Sequence, residues 1–207
     1  MDFQFSTENV LRLFIFGLIF YFAYQYLMGK DMKETYEGGY IQTNWINEEY
    51  GYGYESAYPS ITLNKLINQF GKPDELDPQS GGSAVWDAKK LHGTPFIRIE
   101  IKDEQIPHNK PVPHVDFLYS WYRVDVPQNL IRGLDKISKG ISYDPISKVM
   151  VARCNDLRAN IVMHWIVKHY ADGKLSIDEA VNMIGPMLEE ILEGDSWVKA
   201  RELEGEL

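Results

Sequence analysis

The chain has 207 residues, of which 44% are hydrophobic and 13% aromatic, so it can form a packed core and is not globally disordered. Its net charge is −9, and acidic flanks at 30–60 and 189–207 enclose a nearly neutral middle. Direct nucleic-acid binding is not expected, because it requires a basic face that neutralises phosphates. The single cysteine, Cys154, excludes an internal disulfide framework and a zinc site built from cysteines.

The first predicted element is a transmembrane helix within residues 1–30. Residues 13–29 carry no charge, and as a helix they would span about 26 Å, close to the hydrocarbon thickness of a bilayer. A buried helix would keep a polar face, and a cleaved signal peptide would have a basic leading segment and small residues at a cleavage site. We therefore favour an uncleaved, single-pass anchor over both alternatives. Its anchoring residues are Leu13, Phe14, Ile15, Phe16, Leu18, Ile19, Phe20 and Phe22.

Residues 31–59 are predicted to form an acidic stalk or arm. Tyrosine alternates with glycine, as in "GYGYESAYP", and neither a helical nor a strand period extends over a useful length. Two interpretations stay open, an extended linker and an arm that lies along a neighbouring protein. The aromatic residues expected to make such contacts are Tyr40, Trp45, Tyr52 and Tyr54.

Residues 60–194 are predicted to form a globular α+β domain, with a small antiparallel sheet packed with helices. An apolar stripe from Leu63 to Phe70 predicts a helix that Thr62 caps and Gly71 ends. The strings "SAVWDA", "FIRIEIK", "HVDFLYSWYRVDV" and "KVMVARC" have the composition or the alternation of strands. The string "LIRGLDKIS" carries a weak helical stripe.

Two longer helices are predicted to close the domain, the first of them over residues 155–171. The second begins at a capping box formed by Ser176 and Glu179 in "SIDE". Pro186 is predicted to kink or break this helix, because proline removes one backbone hydrogen bond. Residues 195–207 are predicted to form an acidic, frayed C-terminal tail.

The stretch "DEQIPHNKPVPHVD" between two strands contains the side chains best suited to bind a metal. These are Asp103, Glu104, His108, His114 and Asp116. The last two are two positions apart on a strand and therefore face the same side. Three prolines and the lack of a partner at fixed spacing favour a rigid loop with structural hydrogen bonds instead. No metal, cofactor or small-molecule substrate is expected.

A nucleophilic role for Cys154 is not favoured either. The thiol stands at a strand–helix junction, where cysteines can be activated, but nothing orients His164 or His169 as a base. His164 follows Met163 within an apolar helix and is predicted to be a core histidine. The chain also lacks a nucleophile elbow, a phosphate-binding loop and a zinc-protease helix. We therefore expect no catalytic residues and no enzyme.

The strings "GKPDELDPQSGGSAVWDAKKL", "FIRIEIKDE", "PHVDFLYSWYRVDVP" and "ISYDPISKVMVARC" are followed by a closing helix pair. Their layout over residues 61–193 resembles that of small capsid-associated proteins of large icosahedral DNA viruses with an internal membrane, such as chloroviruses. The resemblance implies a minor capsid protein that links the inner membrane of the virion to the capsid shell. It implies no catalytic residues.

Independently of that resemblance, the residues favour a membrane-anchored structural adaptor whose partners are the lipid bilayer and other capsid or membrane proteins. Exposed tyrosine and tryptophan side chains are typical interface anchors. In the domain, the interface candidates are Tyr119, Trp121 and Tyr122. Two alternatives stay open. One is a membrane-tethered enzyme with a His/carboxylate metal site at His108, His114 and Asp116, and the other is a cellular membrane-bound assembly factor.

Overall fold

A computed structural model describes residues 59–78, 81–108, 114–193 and 197–207. All of them belong to one compact unit, Gln42–Leu207. The predicted anchor and the four arm aromatics fall within residues 1–58 and lie outside the described ranges. Within those ranges, no helix combines the length and apolar character needed to cross a bilayer.

The described residues form an antiparallel sheet of six strands with five α-helices, which confirms the α+β class. The strands are β1 (Glu75–Leu76), β2 (Ser83–Asp87), β3 (Phe96–His108), β4 (His114–Arg123), β5 (Ile141–Asp144) and β6 (Val149–Cys154). The helices are α1 (Pro59–Phe70), α2 (Leu134–Ile137), α3 (Leu157–Ala171), α4 (Ile177–Glu193) and α5 (Trp197–Gly205), and a short 3-10 helix (Ile131–Gly133) precedes α2.

The strand order is β1-β2-β3-β4-β6-β5. Residues directly opposite each other on neighbouring strands share a face of the sheet. Ile99, Ser120 and Ala152 lie in one such row, and all three have no exposed surface. Helix α3 covers this inner face, where the Asn160 amide donates a hydrogen bond of 3.3 Å to the Leu118 carbonyl. The central strands β3, β4 and β6 therefore place alternate residues in the core.

Helix α1 begins at Pro59, three residues before the predicted cap at Thr62. It ends as predicted, because Gly71 has a φ of 77°, a left-handed conformation that glycine adopts without a steric cost. The Trp86 indole donates a hydrogen bond of 2.8 Å to the Gly71 carbonyl and joins this helix end to β2. Leu63 has no exposed surface, so α1 contributes to the core.

Helix α4 begins at the predicted capping box, with Ser176 N donating to a Glu179 carboxylate oxygen over 2.7 Å and Glu179 N donating to Ser176 Oγ over 3.3 Å. The helix continues through Pro186, which excludes the break, and the kink predicted as the alternative stays a prediction. The preceding residue, Gly185, has no Cβ to clash with the proline ring. Burial of Ile191 against the domain then supports the second half of the helix.

The C-terminal residues also differ from the prediction, because 197–205 form helix α5 instead of a frayed tail. Ala200 has no exposed surface and Leu203 is buried. The Trp165 indole donates to a Glu206 carboxylate oxygen over 2.7 Å, and the Tyr122 hydroxyl donates to the Leu207 carbonyl over 2.8 Å. Tertiary contacts with α3 and β4 therefore order a segment whose composition is acidic.

Candidate functional site

The N-terminal end of β4 and the C-terminal end of β6 lie side by side, because the two strands are antiparallel neighbours. Leu118 is opposite Cys154, and alternation along β4 places Asp116 and His114 on the same face as Leu118. The fold thus places Cys154 near His114 and Asp116, the two residues that the sequence predicts on one face of a strand. We call His114, Asp116 and Cys154 the His114 cluster.

The three side chains of the His114 cluster converge at one imidazole nitrogen. His114 Nε2 lies 3.1 Å from Asp116 Oδ1 and 3.4 Å from Cys154 Sγ. One ligand atom from each residue lies within 4.8 Å of the other two. The cluster is buried, with exposures of 5% for His114, 1% for Asp116 and 5% for Cys154. Such groups are costly to bury unless they are paired or bind an ion.

Two neighbouring residues complete the surroundings of the cluster. Arg153 Nε lies 3.3 Å from Asp116 Oδ2, the carboxylate oxygen that points away from the imidazole contact. The same guanidinium donates to the Lys139 carbonyl over 3.2 Å. Asn155 Oδ1 lies 3.5 Å from the Cys154 sulfur. Arg153 therefore supplies a positive charge beside the carboxylate.

A cleft of about 810 Å³ opens beside the cluster. Cys154 and Arg153 line it from the sheet, Met163 from α3, and the middle of α4 forms an apolar wall. The α4 residues of this wall include Val181, Ile184, Gly185, Pro186 and Leu188. Cys154 is therefore the member of the His114 cluster that borders a space large enough for a small molecule.

The geometry does not fit a cysteine–histidine nucleophilic site. In such a site, one imidazole nitrogen activates the nucleophile and the other nitrogen contacts the orienting acid. Here, the thiol and the carboxylate both approach Nε2 of His114. Three potential ligand atoms that converge from different side chains could instead hold a metal ion.

Of the other predicted metal ligands, Asp103 lies outside the His114 cluster. Asp103 is buried, and its Oδ2 accepts a hydrogen bond of 3.0 Å from Gly81 N. The pairing of its strand, β3, with β4 is irregular between Ile101 and Ile106. Asp103 therefore does not follow the regular alternation of side chains between the two faces of the sheet. The side chains of Glu104 and His108 lie outside the described structure. The sequence pattern indicated Cys154 only as a possible nucleophile, and its place at the end of the strand "KVMVARC" is what brings it near His114 and Asp116.

A second candidate site is the outer face of the sheet. Tyr119 and Trp121 are both half-buried there, with ring centroids 6.1 Å apart. The Arg98 guanidinium lies 5.5 Å from the Trp121 ring, and the Lys102 ammonium lies 4.9 Å from the Tyr119 ring. We call these four residues the aromatic face. Cations held over rings are a common feature of recognition surfaces.

A shallow hollow of about 440 Å³ adjoins the aromatic face. Trp121, Ile97 and Val151 form its apolar part, and residues of the β5–β6 hairpin form its polar rim. Ile146, in the turn of that hairpin, is 92% exposed. A single exposed isoleucine is common on a protein surface and needs no special explanation.

Tyr122 does not belong to this surface, which corrects its inclusion among the interface candidates. It is 6% exposed and points to the inner face, where its ring lies 5.4 Å from that of His164. Burial raises the pKa of its hydroxyl above the usual value. Tyr122 points inward because successive side chains of a strand lie on opposite faces of the sheet, which places it on the face opposite Trp121.

Comparisons with known proteins give no significant match to a family model, to a curated protein sequence or to a solved structure.

Proposed function

We propose that the protein is a membrane-anchored structural protein that links a bilayer to a protein shell. In the most specific form of the proposal, it is a minor capsid protein that joins the inner membrane of a large virus particle to the capsid. The observation that carries the proposal is the uncharged 17-residue segment 13–29, which is long enough to reach across most of a hydrocarbon core as a helix.

The aromatic face supports the second half of the proposal, contact with neighbouring proteins. Tryptophan, tyrosine and arginine are enriched at interfaces because they combine large apolar area with polar groups. Trp121, Tyr119 and Arg98 provide this combination on one face of the sheet. Repeated copies on an ordered shell would strengthen individually weak contacts through multivalency.

Removal of residues 1–29 is expected to release the protein from membranes. The wild-type chain should remain in the pellet after an alkaline wash of the membranes, whereas the shortened chain should move to the supernatant. As a milder change, Phe16→Lys should disfavour insertion by roughly 2–3 kcal/mol, and Phe16→Leu should insert like the wild type. A shortened chain that still sediments with washed membranes contradicts the proposed anchor.

The proposal that the protein is a minor capsid component can be tested separately. Quantitative mass spectrometry of purified particles should find the protein in a fixed ratio to the major shell protein. An abundance far below that of the shell components would instead support a cellular assembly factor.

Replacement of Trp121 by serine is expected to remove most cross-links between the folded domain and its neighbours in native membranes or particles. The physical reason is the loss of the largest apolar group of the aromatic face. Val198→Ser is a matched control, because Val198 is an exposed hydrophobic residue, 73% accessible, on α5. An unchanged cross-link pattern in the tryptophan variant, with its thermal unfolding preserved, would show that the partner binds elsewhere.

A further inference from the structure

We propose that the His114 cluster binds one divalent transition-metal ion and that Zn²⁺ is the ion whose chemistry it matches best. The three ligand atoms are His114 Nε2, Asp116 Oδ1 and Cys154 Sγ. The site is separate from the aromatic face and does not depend on the proposed structural role.

Two of the three ligand–ligand distances are close to those of a tetrahedral site, and the third pair lies within 4.8 Å. Zinc binds nitrogen, oxygen and sulfur at about 2.0–2.3 Å, which places pairs of ligands at the corners of a tetrahedron about 3.3–3.7 Å apart. His114 Nε2 lies 3.1 Å from Asp116 Oδ1 and 3.4 Å from Cys154 Sγ. Small rotations of these side chains would therefore admit the ion, without movement of the strands that carry them.

The ligand types select among metals. Magnesium and calcium take oxygen ligands, whereas a thiolate with an imidazole and a carboxylate suits zinc and its substitute cobalt. One thiolate and one carboxylate neutralise a divalent cation, and the additional positive charge of Arg153 is on a side chain that is 34% exposed to solvent. This balance matters at a site where no ligand residue is more than 5% exposed, because a net buried charge is costly.

Arg153 is a positioning residue for the site. Its Nε lies 3.3 Å from Asp116 Oδ2 and so leaves Oδ1 on the side of His114. Contacts of this kind hold a ligating carboxylate in one orientation, and their loss typically weakens metal binding about 10–100-fold.

The cleft determines what kind of metal site this is. Structural zinc sites are closed by four protein ligands, whereas three protein ligands leave a position for water or another small ligand. Among the described residues, three side chains supply ligand atoms, and Cys154 is the one that lines the cleft. We infer an exchangeable site in which a water molecule completes the coordination.

The test uses the full-length protein purified in a non-ionic detergent, freed of metal with a chelator and then given Zn²⁺ or Co²⁺ alone. One ion per chain should be retained after equilibrium dialysis. The cobalt form should show the charge-transfer absorption of a cobalt–thiolate bond, which only Cys154 can provide because the chain has no second cysteine. Retention of less than one ion, or a cobalt spectrum without the thiolate band, overturns the proposal.

Variants assign the ligands. Cys154→Ser and Asp116→Asn should each weaken binding by more than about 100-fold, beyond the range for outer contacts, and Arg153→Gln by about 10–100-fold with one ion still bound at saturation. His169→Gln is the control, because this histidine stacks on Trp165 outside the cluster. Wild-type affinity in Cys154→Ser would mean binding to other groups and would overturn the site. If that variant does not fold, the cobalt spectrum of the wild-type chain decides.

Discussion

Replacement of Asp156 by alanine is expected to lower the free energy of unfolding by about 3–5 kcal/mol, the loss typical when one member of a buried ion pair is removed. Asp156 and Arg158 are 6% and 5% exposed. They form a two-point contact, with Nη2–Oδ2 at 2.8 Å and Nε–Oδ1 at 3.0 Å. Without the carboxylate, the buried guanidinium would lose both of these charged contacts.

The same aspartate is also the N-cap of α3, because Arg158 N donates to its Oδ1 over 2.8 Å. A lost cap typically costs about 1 kcal/mol, so the ion pair accounts for most of the expected effect. Arg158 also contacts the Ile191 carbonyl, 3.4 Å from Nη1, and the Trp197 ring, 5.6 Å from the guanidinium carbon. The ion pair therefore also links the start of α3 to α4 and α5.

Urea denaturation of a small set of variants would separate these contributions. Asp156→Asn retains a cap acceptor but no charge and should recover only the capping part. The double variant Asp156→Ser/Arg158→Met keeps a cap and removes both charges, so it should be close to the wild type. Asp125→Ala is a surface control, because the Lys148–Asp125 pair is exposed to solvent, where an ion pair adds little to stability. A loss below about 1 kcal/mol for Asp156→Ala would contradict the analysis.

Acidification is expected to destabilise the domain through His164. This residue has no exposed surface, its Nε2 lies 2.8 Å from Ser120 Oγ, and its ring lies between those of Phe96 and Tyr122 at 5.5 and 5.4 Å. Burial lowers its pKa from 6.5 to about 3. The imidazole is therefore neutral in the folded protein under physiological conditions.

The direction of this pH dependence follows from which state of the chain binds the proton. Between pH 6.5 and about 3, the unfolded chain binds a proton at His164 that the folded chain does not. Stability is thus complete above pH 6.5 and declines as the pH falls through this window, by roughly 1 kcal/mol per pH unit. The contribution would be exhausted near pH 3, where the folded form also takes up the proton.

Urea unfolding at several pH values would measure this effect. The double variant His164→Leu/Ser120→Ala removes the titrating group and avoids an orphaned hydroxyl, so its stability should fall less steeply below pH 6.5 than that of the wild type. Ser120→Ala alone keeps the buried imidazole and should keep the wild-type slope. Carboxylates with lowered pKa values, such as Asp144 and Asp172, add their own dependence at the acidic end, so the difference between variants is the informative quantity. Equal slopes would contradict a buried, neutral His164.

Local sequence patterns were sufficient to predict much of the fold. The stripe of α1, the alternation of Ile99 and Ile101, the capping box of α4 and the core position of His164 all follow from short-range periodicity and side-chain chemistry. Where the prediction failed, packing outweighed local preference. Pro186 lies inside a continuous helix, and the acidic residues after 196 form α5.

The sequence by itself determined the α+β class, the pairing of His114 with Asp116 on one strand face, and the expectation of an anchor before the domain. Only the tertiary structure placed Cys154 beside that pair, because the β4–β6 pairing joins residues far apart in the chain. It also separated Trp121 from Tyr122, one on the outer face and the other in the core. Short-range patterns indicate on which face of a strand a residue lies. Strand order and register determine which other residues that face contacts.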